Sequence, residues 1–555
     1  MLMVALFIIQ FVFSVIIGIY FLNMLKGQTS SRRSLEQESK KELLKLQRLR
    51  QVHLTKPLSE VTRPSSLDEI IGQKQGLKAL RAAICSPNPQ HVIIYGPPGV
   101  GKTAAARVVL EEAKKNPMSP FTSGAKYIEI DATTLRFDER GIADPLIGTV
   151  HDPIYQGAGS YGPAGVPQPK AGAVTKAHGG MLFIDEIGEL HPIQMNKLLK
   201  VLEDRCVFFE SAYYSAYDSN IPPHIHDIFQ NGLPADFRLV GATTKTPDEI
   251  PPAIRSRCIE IFFKPLTNEE IKTIAKNAAQ KGGVSIDSEG LSLIARYAHS
   301  GRDAVSMVQI ASSVAIYEHR TKIQTKDIEW VIEFGQYNPK IEKKVEKGSA
   351  IGFVNGLAVY GASFGTVMDI EVNATAGSGK LVITGIIENE ELVNHAQRLT
   401  RKSSAKSSVE NMLTVLKRYY GIDFLQYDIH INFPGSAPID GPSAGVAIAC
   451  GVYSAVYGVP IDSQIAMTGE IAIQGTVRPV GGVVAKVEAA INAGIKKVII
   501  PKENYRELFS KMDIEVVSVE NIFEVFETVF GIKSDKKEHF ASLPHDTKII
   551  AATSI

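Results

Sequence analysis

Residues 91–115 contain a short apolar run, His91-Val-Ile-Ile-Tyr95, then Gly96-Pro97-Pro98-Gly99-Val100-Gly101-Lys102-Thr103, then the helix-forming stretch AAARVVLEEAKK. This is a complete G-x-x-x-x-G-K-T loop in its strand–loop–helix context. The glycines let backbone N–H groups turn inward around phosphates, and the positive end of the following helix favours the anion. Lys102 is placed to reach the terminal phosphates and Thr103 to hold Mg²⁺. Such a loop requires a buried parallel strand before it. The runs HVIIY (91–95), YIEI (127–130), MLFI (181–184) and FRLVGA (237–242) are short, apolar and bounded by turn residues, as strands of an α/β sheet are.

The run MLFI ends in Asp185-Glu186. Asp185 is suited to holding Mg²⁺ through water, and Glu186 to orienting and polarising an attacking water. Residues 266–333 read as helical, with Asn268-Glu-Glu and Asp287-Ser-Glu as helix starts. The stretch 157–180 carries seven Gly and three Pro and reads as loop. A β-rich segment begins near Ile351, and more α/β sequence follows.

From Met1 to Leu25 there is no charged residue. At about 1.5 Å per residue this run spans a hydrocarbon core of about 30 Å as a helix. It lacks the basic leader of a cleaved signal peptide. Lys26, Arg32 and Arg33 follow it, which places the rest of the chain in the cytoplasm and predicts a single-pass membrane protein. Ser34 and Gln37 form a candidate capping box opening a short helix through Leu43, Leu46 and Leu49.

A length of 555 residues calls for two or three domains. The net charge of +1 gives no basic field, so no nucleic-acid partner is expected. Cys85, Cys206, Cys258 and Cys450 lack metal-ligand spacing and fit a reducing compartment.

In the C-terminal half, the strand-like run Tyr427–Phe433 leads through Asp440-Gly441-Pro442-Ser443-Ala444-Gly445 into the apolar helix VAIACGVYSAVYG. Ser443 therefore sits on a turn near a helix N-terminus, where N–H groups can stabilise an oxyanion. A serine there is also an ordinary N-cap. Downstream, Thr468-Gly469-Glu470 precedes Gly481-Gly482-Val-Val-Ala-Lys486, a lysine on a helix that otherwise faces the core. A serine hydroxyl needs an adjacent base. A lysine is one only when neutral, and burial lowers its ordinary value of about 10.4. Val483, Val484 and Val487 suit that demand.

Two resemblances follow. GPPGVGKT, LFIDE, the Gly72-Gln73 pair and the Ser256-Arg257-Cys258 tripeptide together resemble an AAA+ ATPase. That implies ATP and Mg²⁺ as cofactors, Thr103 and Asp185 at the metal, and a sensor at Thr244, with Thr243 the alternative. It also implies a trans-acting arginine finger at Arg257 rather than Arg255, a second sensor at Arg302, and a ring of identical chains, a hexamer.

Residues 351–530 resemble the proteolytic domain of Lon proteases through DGPSAG, TGE, GGVVAK and AGIKKVIIPKEN. The resemblance implies Ser443 as nucleophile and Lys486 as general base, with Asp440 and Thr468 orienting the lysine; His430 reads as a strand residue. The membrane anchor resembles the B-type architecture, whereas DGPSAG resembles the A-type motif.

The fold expected is multidomain α/β. A transmembrane anchor (1–25) and charged stalk (26–62) precede an AAA+ P-loop domain (63–265) and a helical lid (266–345). An α+β Lon proteolytic domain (346–533) and a flexible tail (534–555) complete it. The function expected is ATP-driven unfolding, translocation and cleavage of proteins at the cytoplasmic face of a membrane, with Tyr161 or Tyr155 gripping the polypeptide. The alternatives are a non-proteolytic remodelling ATPase with an inactive proteolytic scaffold, and a nucleic-acid motor or clamp loader.

Overall fold

The computed structural model describes residues 10–20, 41–51, 55–135, 144–151, 166–212, 214–218, 221–340, 344–360, 364–385, 389–394, 397–402, 404–435 and 441–532. The chain divides into two units, Met1–Val61 and Thr62–Ile555. In the first, residues 10–20 and 41–51 are helical. Their apolar side chains, Phe11, Phe13, Ile16 and Tyr20 in one and Leu43, Leu46 and Leu49 in the other, are exposed. No helix among the described residues is long and apolar enough to cross a membrane. Residues 1–9 and 21–25 of the expected anchor lie outside the described residues, as do Ser34 and Gln37.

The second unit opens with a five-stranded parallel sheet. Its strands are β1 (His91–Tyr95), β2 (Tyr127–Asp131), β3 (Met181–Asp185), β4 (Arg238–Thr243) and β5 (Cys258–Phe262), in the order β2-β3-β4-β1-β5. Helices α1 (Lys74–Ile84), α2 (Lys102–Lys115) and α3 (Pro192–Asp204) belong to this part. Val92 through Tyr95 and Met181 through Ile184 are fully buried, which is why those runs are apolar on both faces. The sequence reading finds four of these strands and misses β5. Its centre is Glu260, a charge that interrupts the apolar pattern and is satisfied by Arg255 and Tyr95.

The stretch 157–180 is not loop throughout. Gln168–Ala171 pairs antiparallel with Gly148–His151, and Ala173–Lys176 is a helical turn. Pro169 is tolerated because a two-stranded ribbon leaves each strand an open edge. Gly172 is required there, since a Cβ would overlap the backbone of Ile147 and Gly148. Tyr155 and Tyr161 lie outside the described residues.

Helices α4 (Asn268–Lys281), α5 (Ser288–Tyr297), α6 (Gly301–Tyr317) and α7 (Thr325–Phe334) come next. Their starts are written in capping residues. Thr267 and Glu270 make a capping box for α4, Asp287 caps α5 through Gly290 N, and Ser300 and Asp303 make a box for α6. The two helix starts expected from sequence lie at these positions.

A second, mixed sheet of seven strands follows. It comprises β6 (Phe353–Tyr360), β7 (Phe364–Ala376), β8 (Leu381–Thr384), β9 (Tyr427–Asn432), β10 (Ile465–Met467), β11 (Lys497–Pro501) and β12 (Glu515–Val519), in the order β8-β9-β7-β6-β10-β11-β12. Side chains alternate across it. Met368, Ile370 and Met467 join a core built with α8 (Ser404–Tyr420), α9 (Gly445–Tyr457) and the later helix at Ile522–Phe530. Val367, Ala466, Val498 and Ile500 join a separate core with α10 (Val483–Asn492). Helices α9 and α10 thus lie on opposite faces, with β10 in the sheet between them.

Candidate active sites

The phosphate loop is a turn held open by positive φ. Gly101 has φ 97° at the N-terminus of α2, and Gly99 has φ 71°. A Cβ on Gly99 would also meet Ser300 at 2.7 Å, and Gly301 N donates to Gly99 O at 3.2 Å, so the start of α6 rests directly on the loop. Lys102 is buried with its ammonium donating to Gly96 O at 2.6 Å and Pro97 O at 3.1 Å. Burial lowers its pKa, against the opposing pull of the Glu186 and Asp185 carboxylates.

Thr103 Oγ1 donates to Asp185 Oδ2 at 3.3 Å, joining loop to strand end. Burial, and then the neighbouring Glu186 charge, raise the Asp185 pKa. A hydroxyl and a destabilised carboxylate are oxygen donors that fit Mg²⁺, because a cation would relieve that repulsion. Glu186 is in the left-handed region, φ 48° and ψ 49°, and its carboxylate accepts from Thr244 N at 3.0 Å and Thr244 Oγ1 at 3.1 Å. Thr243 is fully buried with its hydroxyl accepting from Lys245 N, so Thr244 is the threonine that faces the carboxylate.

Arg257 lies elsewhere. It precedes β5, next to His91 at the start of β1, whereas the phosphate loop follows the end of β1. The strand between them is roughly 13 Å long at about 3.3 Å per residue. Arg257 donates to Ala253 O at 2.7 Å and pairs with Glu203. It borders a cavity of about 250 Å³ also lined by His91, Arg205, Asp236 and Arg238. Arg255 is bound to Glu260 at 2.7 Å, on a carboxylate shared with Tyr95.

The second site forms where β10 ends. Ser443 lies in a 3-10 turn, Pro442–Ala444, after Gly441 at φ 110°. The N-cap of α9 is Ala444 and that of the turn is Gly441, so Ser443 caps neither element. The turn is held from two directions. Ser443 O accepts from Gly469 N at 2.8 Å and from Thr468 Oγ1 at 3.2 Å. Pro442 O accepts from Ser408 Oγ at 3.2 Å. Ser408 was not singled out from the sequence. Its signal is a serine within the apolar stripe Ala405, Val409, Met412 and Leu416 of α8.

Lys486 is only 2 % exposed. It extends from α10 among Val483, Val487 and Ala490. Its Nζ donates to Thr468 Oγ1 at 3.0 Å. Thr468 is fully buried, and its N–H donates to Ile499 O at 3.0 Å. Burial pushes the lysine pKa down to about 8. The threonine hydroxyl thus links the lysine on one face to the backbone of Ser443 on the other. Asp440 lies outside the described residues. His430 is on β9, beside the Thr384 hydroxyl at 3.3 Å.

Comparison with known proteins locates both regions. The model for the Lon protease (S16) C-terminal proteolytic domain matches residues 322–531, and that for the ATPase family associated with various cellular activities matches residues 92–266. The chain is 59% identical over 529 residues to Lon protease 2 of Bacillus subtilis (strain 168), covering 95% of this chain and 96% of that protein. It is 31% identical over 442 residues to the archaeal Lon protease of Thermococcus kodakarensis, covering 71% of this chain and 66% of that protein. The archaeal Lon protease of Archaeoglobus fulgidus is 31% identical over 443 residues, covering 72% and 67%.

Proposed function

The chain belongs to the Lon protease family and is an ATP-dependent serine protease, and on that premise we propose that Ser443 is its nucleophile and Lys486 its general base. One observation carries this assignment: a buried lysine, its pKa lowered to about 8, shares the Thr468 hydroxyl with the backbone of Ser443. Neutral Lys486 takes the proton from Ser443 Oγ as the oxygen attacks the scissile carbonyl. The resulting ammonium returns the proton to the leaving amine, and water then hydrolyses the serine ester. The hydrogen bond from Nζ runs to Thr468 rather than to Ser443 Oγ; catalytic hydrogen bonds tighten when substrate binds. Thr468 orients the lysine and fixes the turn. Asp440, placed next to that turn by sequence, is assigned a supporting role.

For the ATPase, the loop Gly96–Thr103 holds the phosphates and Lys102 reaches the terminal ones. Mg²⁺, held by Thr103 and Asp185, would supply positive charge at the phosphate oxygens. Glu186 orients the attacking water, Thr244 positions Glu186, and Arg302 brings the lid to the nucleotide. Arg257 sits at the far end of the sheet from its own loop, which supports action on a neighbour's nucleotide and therefore a ring, assigned here as a hexamer.

The substrate is unfolded polypeptide, passed to Ser443 by ATP-driven movement. Met1–Leu25 serves as a membrane anchor with the two catalytic regions in the cytoplasm. The uncharged run supports this, as do the apolar side chains exposed along residues 10–20. Salt-resistant fractionation with membranes, lost on deleting residues 1–25, tests the anchor; salt-extractable protein with an intact N-terminus excludes it.

The test of the whole reading is degradation of an unfolded protein with ATP, run beside a short fluorogenic peptide. Ser443→Ala abolishes both cleavages and leaves ATP hydrolysis largely intact. Unchanged cleavage by the Ser443→Ala chain excludes the assignment.

A further inference from the structure

We infer that the ion pair between Lys264 and Glu488 is a strut through which the nucleotide loop sets the position of Lys486. This rests on the assignment of Lys486 as the peptidase base. The ATPase end of the strut is tied to the loop by backbone contacts. Phe263 N donates to Tyr95 O at 2.7 Å, the residue just before Gly96. A Cβ on Gly96 would lie 2.7 Å from Phe263 O, so only glycine allows this approach. Phe263 itself is fully buried.

The next residue, Lys264, is clamped by a side chain acting as a peptide group. Gln73 Nε2 donates to Lys264 O at 2.7 Å, and Lys264 N donates to Gln73 Oε1 at 2.9 Å. Gln73 is buried, so these two bonds are made out of competition with water. A displacement of the loop therefore carries Lys264 with it.

At the other end, Lys264 Nζ meets Glu488 Oε1 at 2.5 Å. Glu488 is on α10, two residues after Lys486. At about 100° per residue the two side chains leave the helix on nearly opposite sides. Lys486 points into the core and Glu488 points out to the strut. The backbone of α10 touches the sheet at Gly365, where a Cβ would overlap Ala485 O. The helix is held between that close contact and the ion pair, so movement of Glu488 turns or slides the segment that carries the lysine.

The strut makes Lys264 and Glu488 positioning residues, whose removal alters coupling rather than chemistry. The test uses the full chain and a short fluorogenic peptide, cleaved with ATP and Mg²⁺ and without nucleotide. The readout is the ratio of the two rates. Lys264→Glu and Glu488→Lys each lower that ratio about threefold, with ATP hydrolysis and nucleotide-free cleavage within about twofold of wild type, as expected for a half-exposed pair. The exchanged double variant restores the ratio, and Lys264→Arg keeps it. Should charge reversal misfold the chain, Glu488→Gln gives the same reading with a smaller perturbation. Unchanged ratios in the single reversals overturn the strut while leaving the peptidase assignment standing. So does an equal fall in both rates, or failure of the exchanged pair to restore the ratio. A wild-type chain that hydrolyses ATP and cleaves no peptide overturns both.

Discussion

Lys486 Nζ donates to Thr468 Oγ1 at 3.0 Å, and the same oxygen donates onward to Ser443 O at 3.2 Å. One hydroxyl therefore reads the position of the proposed base and the position of the turn that carries the proposed nucleophile. The lysine beside it is buried and its pKa is lowered to about 8 by desolvation, which supplies neutral amine near physiological pH.

Peptide cleavage follows that titration. Only neutral lysine accepts the serine's proton, so the rate rises with pH through about 8 and levels above it, as measured on a fluorogenic peptide where the protein stays folded. Lys486→Arg lowers kcat by about three orders of magnitude or more, because guanidinium stays protonated. Normal cleavage by that variant would falsify the assignment of the base.

Thr468→Val removes the acceptor from Nζ and the donor to Ser443 O. We expect kcat to fall about 10- to 100-fold with a smaller change in KM. The pH midpoint moves lower, since a hydrogen-bond acceptor favours the ammonium form. Thr468→Ser restores most of the rate. A Val variant with an unaltered pH midpoint shows that Thr468 acts on the turn alone.

Lys486→Met sacrifices cleavage and stabilises the fold. The lysine is nearly fully buried and its pKa is depressed, so the folded chain holds a poorly solvated charge below about pH 8. Between that pH and the ordinary ammonium range the unfolded chain binds the proton and the folded chain does not, so wild-type stability rises with pH there. Replacement by Met gains about 1–3 kcal/mol at pH 7, and the gain shrinks across that window. Denaturant melts at pH 7 and pH 9.5 measure it; a Met variant less stable than wild type at pH 7 excludes the claim.

Glu186→Gln leaves the phosphate loop, Thr103 and Asp185 intact. It should bind ATP with near wild-type affinity and hydrolyse it at least about 100-fold more slowly. Thr244→Val removes the hydroxyl bond to Glu186 and keeps the backbone one, and slows hydrolysis less severely, about 10-fold. Nucleotide binding and single-turnover hydrolysis separate the two effects.

Arg257→Ala subunits should impair wild-type neighbours. In mixed rings, ATP hydrolysis falls faster than the fraction of wild-type subunits, because each variant withholds a group from an adjacent site. Strict proportionality removes Arg257 from this role. Arg255→Ala should instead mainly lower local stability and leave neighbouring sites unaffected, since it leaves Glu260 to Tyr95 alone.

Much of this was written locally. The loop Gly96–Thr103 is a contiguous string whose glycines and lysine act within one turn. The strands β1 to β4 are continuous apolar runs, and α4 to α6 begin at their capping residues. Ser443 on its turn and Lys486 on a core-facing helix were likewise legible, because each depends on the residues beside it. The tertiary structure decided what depends on distant partners. It placed α9 and α10 on opposite faces, so that the two residues approach only around the end of β10, through Thr468. It chose Thr244 over Thr243 at Glu186, since alternation along a strand says that neighbours face opposite ways but not which way is the site. It made β5 a strand despite Glu260, and 168–171 a strand despite Pro169, because pairing and a partner for the charge outweigh local propensity. Such contacts join residues far apart in the chain, and their free energy exists only once the chain has closed around them.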